Sequence, residues 1–259
     1  MERWPLILST LFFLVSFGWT MFALGAGKYR PSRLNLVVIS AGFAAQTWFL
    51  YLRGEMLGRC PLTNLFEVLI FLSWSMVLFY LVIGPAYRLT LLGAFTAPFA
   101  TIFQMVALIA PLDAAPVVGA SRPNPWLELH AAVSVMAYGA FALACVAGLM
   151  FLVQERQLKS HRFNAVFYHL PPITELATAI KSLLFAGMAL LSVGLGAGFV
   201  VGSPGKKILW GIGVWVLYGL ILLMRQKLSA RRVALMAVTA FTVTLASLWG
   251  INQLPGGPN

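Results

Sequence analysis

Charge is what this sequence has least of. Asp, Glu, Lys and Arg together make up 10% of its 259 residues, against about 25% in a typical soluble domain. Hydrophobic residues reach 60% and mean hydropathy is +0.88. Those figures exclude a disordered chain and an ordinary water-soluble enzyme. Cysteine is nearly absent too, which excludes a disulfide scaffold. Cys60 precedes the third apolar run and Cys145 lies in the middle of the fifth. Their different depths argue against a disulfide, which needs Cα atoms within about 7 Å. With no Cys-x-x-Cys, a thiol relay has no support. No ten-residue alternating segments suggest a transmembrane barrel, and no hydrolytic triad, phosphate loop or metal-ligand cluster is present.

What the chain does have is long apolar runs. A helix crossing the hydrocarbon core needs about 20 mostly apolar residues, and eight stretches qualify: Pro5–Gly25, Leu34–Leu52, Asn64–Ile83, Leu89–Ile109, Trp126–Val153, Ala179–Gly202, Ile208–Met224 and Val233–Ile251. The seventh is the weakest, short and carrying Gly211, Gly213 and Gly219. The expected fold is all-α: a polytopic bundle of about eight transmembrane helices, one transmembrane unit over residues 1–259. The first span is too long for a signal-peptide core, and Gly25-Ala26-Gly27 is a weak cleavage site, so it is expected to stay in the mature protein. Pro98 is a possible kink in span four.

The net charge of +11 points to the bilayer and not to nucleic acid, because the basic residues fall in short breaks between apolar runs. Lys28, Arg30, Arg33, Arg88, Arg156, Lys159, Arg162, Lys181, Arg225, Lys227, Arg231 and Arg232 belong to one side. Arg3, Arg53, Arg59, Arg122, Lys206 and Lys207 belong to the other, a division of 12 against 6. Cytoplasmic loops carry the excess, so both termini are expected outside. Pro111–Pro125 then forms an outer loop, and Gln154–Thr178, with His161 and His169, an inner one.

Polar groups inside spans are costly and invite a functional reading. Glu67 begins span three, His130 begins span five, and Gln46 and Gln104 lie deeper. Asn64 and Glu67 have the spacing of a capping box; alternatively, the pair forms a polar edge of an external pocket beside Arg59. Trp126, His130, Ser134 and Tyr138 recur every four residues and share one helix stripe. His130 is the single outer histidine. It is either a hydrogen-bonded structural residue or a metal or haem ligand.

These two segments carry a resemblance. Gly58-Arg59-Cys60-Pro61-Leu62-Thr63-Asn64-Leu65-Phe66-Glu67 resembles the Pro-Leu-Ser-Asn-Leu-Tyr-Glu segment of the cytochrome c assembly proteins, the CcsA/ResC type and their HemX-like relatives. Trp126-Leu127-x-x-His130 followed by Tyr138 resembles that family's Trp-Leu-x-x-His helix, and Leu170-Pro171-Pro172 its lead-in to span six. The ordered matches cover roughly residues 55–225. The resemblance implies haem as cofactor, presented on the outer face of the inner (cytoplasmic) membrane for attachment to apocytochrome c. It implies His130 as an axial ligand, a pocket lined by Trp126, Ser134, Tyr138, Asn64, Glu67, Arg59 and Trp210, and a CcsB/ResB-like membrane partner. Independent enzyme activity is not expected, because the haem-lyase relatives lean on residues this chain lacks; any catalysis would take place within a cytochrome c haem lyase complex.

The sequence also departs from the family pattern. Between spans six and seven, Lys207, Trp210, Trp215 and Tyr218 keep register with the tryptophan-rich signature, but its Trp-Asp core is missing. The late span-seven histidine falls at Leu223. The second outer histidine is replaced by the region Ile251-Asn252-Gln253-Leu254. Either haem binds weakly, or a partner supplies the other ligand, or haem is not bound. The last case corresponds to a HemX-like regulatory or scaffold protein, whose basic inner loop would contact a soluble partner. A transporter has less support, since matched broken helices and mid-membrane charge pairs are not visible.

Overall fold

A computed structural model describes residues 3–26, 33–62, 64–86, 91–110, 124–160, 171–201 and 206–253. Among them are eight α-helices and no strand: α1 (Trp4–Gly25), α2 (Arg33–Leu57), α3 (Leu65–Ala86), α4 (Leu92–Ile109), α5 (Pro125–Ser160), α6 (Ile173–Val200), α7 (Lys206–Met224) and α8 (Ala230–Gln253). Seven are long and apolar enough to cross a membrane; the apolar part of α7, Ile208–Met224, is shorter. The chain is a multi-pass helical membrane protein. Helices suit such a sequence because every backbone group is satisfied within its own segment, with no water to help in lipid.

Several ends run beyond the apolar stretches. Helix α2 continues past Leu52 to Leu57, α5 continues past Val153 to Ser160, and α6 begins at Ile173. The expected inner loop Gln154–Thr178 is therefore helical at both ends. Apolar counting stops at the first charges, whereas Arg, Glu, Gln and Lys are good helix formers and carry the helix onward into the interface. Pro98 lies inside α4. Lys28, Arg30, Arg88, Arg122, His161, Arg162, His169 and Leu170 lie outside the described residues.

Helix α5 is the centre. From Ser134 to Phe151 nearly every residue is buried, the pattern of a helix enclosed on all sides. It packs against α3, α6 and α8, while α4 lies beside α3 and α1 packs between α4 and α2. Small residues permit this closeness, as they do generally between membrane helices. Gly139 faces Ser75 and Met76 of α3, Gly148 faces the Ala234 carbonyl of α8, and Phe141 covers Gly187 of α6. Large apolar side chains such as Phe22 and Trp19 are turned outward, where lipid would cover them.

The deep glutamines are interhelical links. Thr10 donates to Gln104 Oε1 (2.7 Å) and Gln104 Nε2 to Ser9 (3.1 Å), joining α1 to α4. Gln46 Nε2 donates to the Ile70 carbonyl (2.9 Å), joining α2 to α3. Such bonds contribute about 0.6 kcal/mol each on average, so they fix register more than they supply stability.

The two ends of the bundle differ. At one, Arg231 of α8 meets Glu155 of α5 (3.3 Å), and Arg156 and Lys159 at the end of α5, Arg225 and Lys227 after α7 and Arg232 at the start of α8 belong to the same end. At the other stand the starts of α3, α5 and α7 and the ends of α6 and α8, with His130 among them.

Candidate functional site

At the histidine end, α2 stops at Gly58, whose φ of 61° is the left-handed conformation that favours glycine at a helix terminus. A short turn leads to α3. Asn64 Oδ1 accepts the Glu67 N–H (2.9 Å), so Asn64 caps the helix as its spacing predicts. The Glu67 carboxylate pairs with Arg53 of α2 (Nε–Oε1 2.9 Å), with the two side chains only 4% and 1% exposed. The partner of Glu67 is thus Arg53, one helix back, and not Arg59, which is half-buried in the turn. Arg53 and Arg3 both lie over the Phe66 ring, at 5.4 and 5.2 Å from its centroid.

The turn then reaches α5: the Cys60 N–H donates to Glu128 Oε1 (3.3 Å). This contact joins the two segments that carry the sequence resemblance. Both cysteines are free. Burial, then the negative charges of Glu128 and Glu67, push the Cys60 thiol above its ordinary pKa. Only the thiolate is nucleophilic, so Cys60 is expected to alkylate slowly near pH 8 and to accelerate only in more alkaline buffer. Glu128→Gln removes one of the charges and should speed iodoacetamide labelling of Cys60, mapped by peptide mass spectrometry. An unchanged rate would mean that Glu128 does not act on the thiol.

Helix α5 begins under a second asparagine cap, with the Trp126 N–H donating to Asn124 Oδ1 (3.1 Å). Trp126 is half exposed, at the level where interfacial aromatics sit. One turn deeper, His130 is half-buried against α6, its Nδ1 2.7 Å from the Gly194 carbonyl. A carbonyl only accepts, so the proton sits on Nδ1 and the Nε2 lone pair is left for another partner. Gly198 makes room for the ring: a Cβ there would lie 2.8 Å from Nδ1 and 3.1 Å from Cε1. Gly194 does the same for Ser134, whose Oγ is buried without a hydrogen-bond partner among the described residues. Tyr138 is buried edge-on against Trp210 of α7 (5.4 Å, 68°), and Trp210 Nε1 donates to Ser247 of α8 (2.9 Å).

The stripe of four therefore occupies three surroundings. Trp126 is at the surface and His130 half-buried, while Ser134 and Tyr138 serve helix packing. Asn64 and Glu67 have their polar groups engaged locally. Sequence reasoning missed Arg53, Glu128, Gly194, Gly198 and Ser247. The Gly-x-x-x-Gly spacing of Gly194 and Gly198, a sign of close helix approach, could have marked the surface against which His130 rests. Where the family has its second outer histidine, α8 is ending at Gln253, and Leu254 lies outside the described residues. Leu223 is 77% exposed.

Fold and site together define a multi-pass helical membrane protein with one imidazole held in a fixed tautomer at one end of the bundle. The chain belongs to the cytochrome c assembly protein family, whose model matches residues 62–257. It is 25% identical over 210 residues to protein HemX of Brevibacillus brevis, covering 78% of this chain and 77% of that protein. It is 29% identical over 207 residues to the cytochrome c biogenesis protein CcsA of a Synechococcus strain, covering 73% of this chain and 60% of the relative. An uncharacterised 28.8 kDa protein of Azospirillum brasilense shares 39% identity over 104 residues, 40% of this chain and 38% of that protein. The family match runs through α8, beyond the span legible as a resemblance, and leaves α1 and α2 outside it.

Proposed function

We propose that this protein is a haem-handling membrane component of cytochrome c biogenesis, in which His130 Nε2 at the outward end of α5 would hold the haem iron. The observation that carries this reading is the 2.7 Å contact from His130 Nδ1 to the Gly194 carbonyl. Metal-binding histidines commonly donate their second ring N–H in this way, which fixes the tautomer and raises the basicity of the ligating nitrogen. A His donating from Nδ1 fits an iron ligand better than one with both nitrogens engaged. Haem, when bound, would supply the groups that become attached to apocytochrome c. His130 would hold and orient it, with Trp126 at the lipid boundary beside it. A further ligand would come from a partner, for which a CcsB/ResB-like membrane protein is the expected associate.

The excess of Lys and Arg at the opposite end of the bundle supports placing that end in the cytoplasm, with His130 and both termini outside and the protein in the cytoplasmic membrane. The similarity to HemX over three quarters of both chains, with the second outer histidine missing, favours one competing role. That role is a scaffold or regulator of haem synthesis or assembly, without stable haem binding.

Absorption spectra of detergent-purified protein separate the two. Wild type is expected to co-purify with haem and give a Soret band. His130→Ala should lose at least about tenfold of that haem, in line with the large effects of disturbing ligands and their supports, and added imidazole should restore part of the band. Equal haem in both proteins would remove His130 from the role. Absence of haem from wild type would favour the scaffold.

A further inference from the structure

A second feature lies at the other end of the bundle. Between α6 and α7 runs an open groove of about 570 Å³, lined by Met188, Val216, Gly219 and Leu220, with Arg225 and Gln226 at one end. Two bridges bracket it. Trp215 Nε1 donates to Ser192 Oγ (2.9 Å) at the upper end. At the lower end the Arg225 guanidinium lies 4.2 Å over the Phe185 ring. Gly219 keeps one wall of the groove low; a Cβ there would lie 3.2 Å from Met188 Cε. From Trp215 to Arg225 is ten residues, about 15 Å of helix, or half of a hydrocarbon core about 30 Å thick. The apolar channel is one leaflet long.

Arg225 differs from Arg53, which has Glu67, and from Arg231, which has Glu155. Arg225 is half-buried, with no carboxylate within salt-bridge distance among the described residues. Stacking on an aromatic face leaves the in-plane N–H donors of a guanidinium free, in the fork that suits phosphate.

We propose that this groove is a binding site for one anionic phospholipid of the adjoining leaflet. An acyl chain lies along Met188, Val216, Gly219 and Leu220, and the headgroup phosphate is held by Arg225. A cation at the interface end of a one-leaflet apolar channel matches that amphiphile in both charge and length. A zwitterionic lipid also offers a phosphate, but its own headgroup ammonium competes with the guanidinium for it, so a net anionic headgroup is the better match. The site lies at the far end of the bundle from His130 and does not depend on haem.

Native mass spectrometry of the full-length protein, released from micelles doped with equal phosphatidylglycerol and phosphatidylcholine, tests this. Wild type should retain one phosphatidylglycerol about tenfold over phosphatidylcholine. Arg225→Gln should abolish the preference, and Gly219→Leu, which fills the channel, should reduce retention of both lipids. Lys227→Gln, which alters an exposed charge outside the groove, should change nothing. The proposal is overturned if wild type does not discriminate, if Arg225→Gln keeps the preference, or if Lys227→Gln erases it equally, which would mark a generic basic surface. Should Gly219→Leu aggregate, the arginine and lysine variants decide the matter.

Discussion

Glu67→Ala is expected to cost about 3–5 kcal/mol, the usual result of removing one partner from a buried ion pair. The loss arises from what remains and not only from what is removed. Arg53, 4% exposed at its side chain, would keep a full charge in a site with little water after losing the carboxylate 2.9 Å from its Nε. Total stabilities of folded domains are about 5–15 kcal/mol, so such a loss should be visible as a much lower thermal transition in detergent. The Asn64 cap would survive, since it uses the Glu67 backbone N–H; damage therefore reports on the charge pair and not on the start of α3. Replacing both partners, Arg53→Met with Glu67→Leu, should recover most of the stability, because paired apolar replacements of buried ion pairs are often neutral or stabilising. Near-wild-type stability of the single variant would mean that Arg53 finds another counter-charge or water.

The number of helices was legible because bilayer thickness sets a length that apolar runs must meet. Where the helices end was less so. Arg53 shows why: the apolar run of span two stops at Leu52, so Arg53 looked like a loop residue, yet it is helical and buried. The same misplacement hid the partner of Glu67, since the nearest arginine in sequence, Arg59, sits in the turn. Asn64 was legible because a cap depends only on local spacing. His130 was legible as a singular residue at a helix start, but its surroundings depend on α6 lying against α5. Two glycines more than sixty positions away determine that contact. Tyr138 and Trp210 each stood out alone, and their pairing becomes visible only when α5 and α7 are brought together.

The same logic identifies the least replaceable glycine in the centre of the bundle. Gly139→Ala would gain up to about 1 kcal/mol of helix propensity, but its new methyl would collide with Ser75 Cβ and lie 2.9 Å from the Met76 backbone nitrogen. These atoms belong to the backbone of α3 or are fixed directly to it, so no rotamer change relieves the clash and the two helices must separate. Overpacking of this kind costs about 1–3 kcal/mol and occasionally more, and contact with the backbone of α3 places Gly139 toward the upper end. The consequence reaches the histidine end, because the turn leading into α3 also meets α5 through the Cys60–Glu128 contact, and parting the helices at Gly139 loosens that joint. Gly139→Ala is therefore expected to lower the thermal transition and to speed Cys60 alkylation together. Gly18→Ala is the control: a Cβ there meets nothing within 4 Å, so the same scan should show an unchanged or slightly higher transition. If Gly139→Ala melted like Gly18→Ala, α3 and α5 would not be as closely apposed in the folded protein as this packing requires.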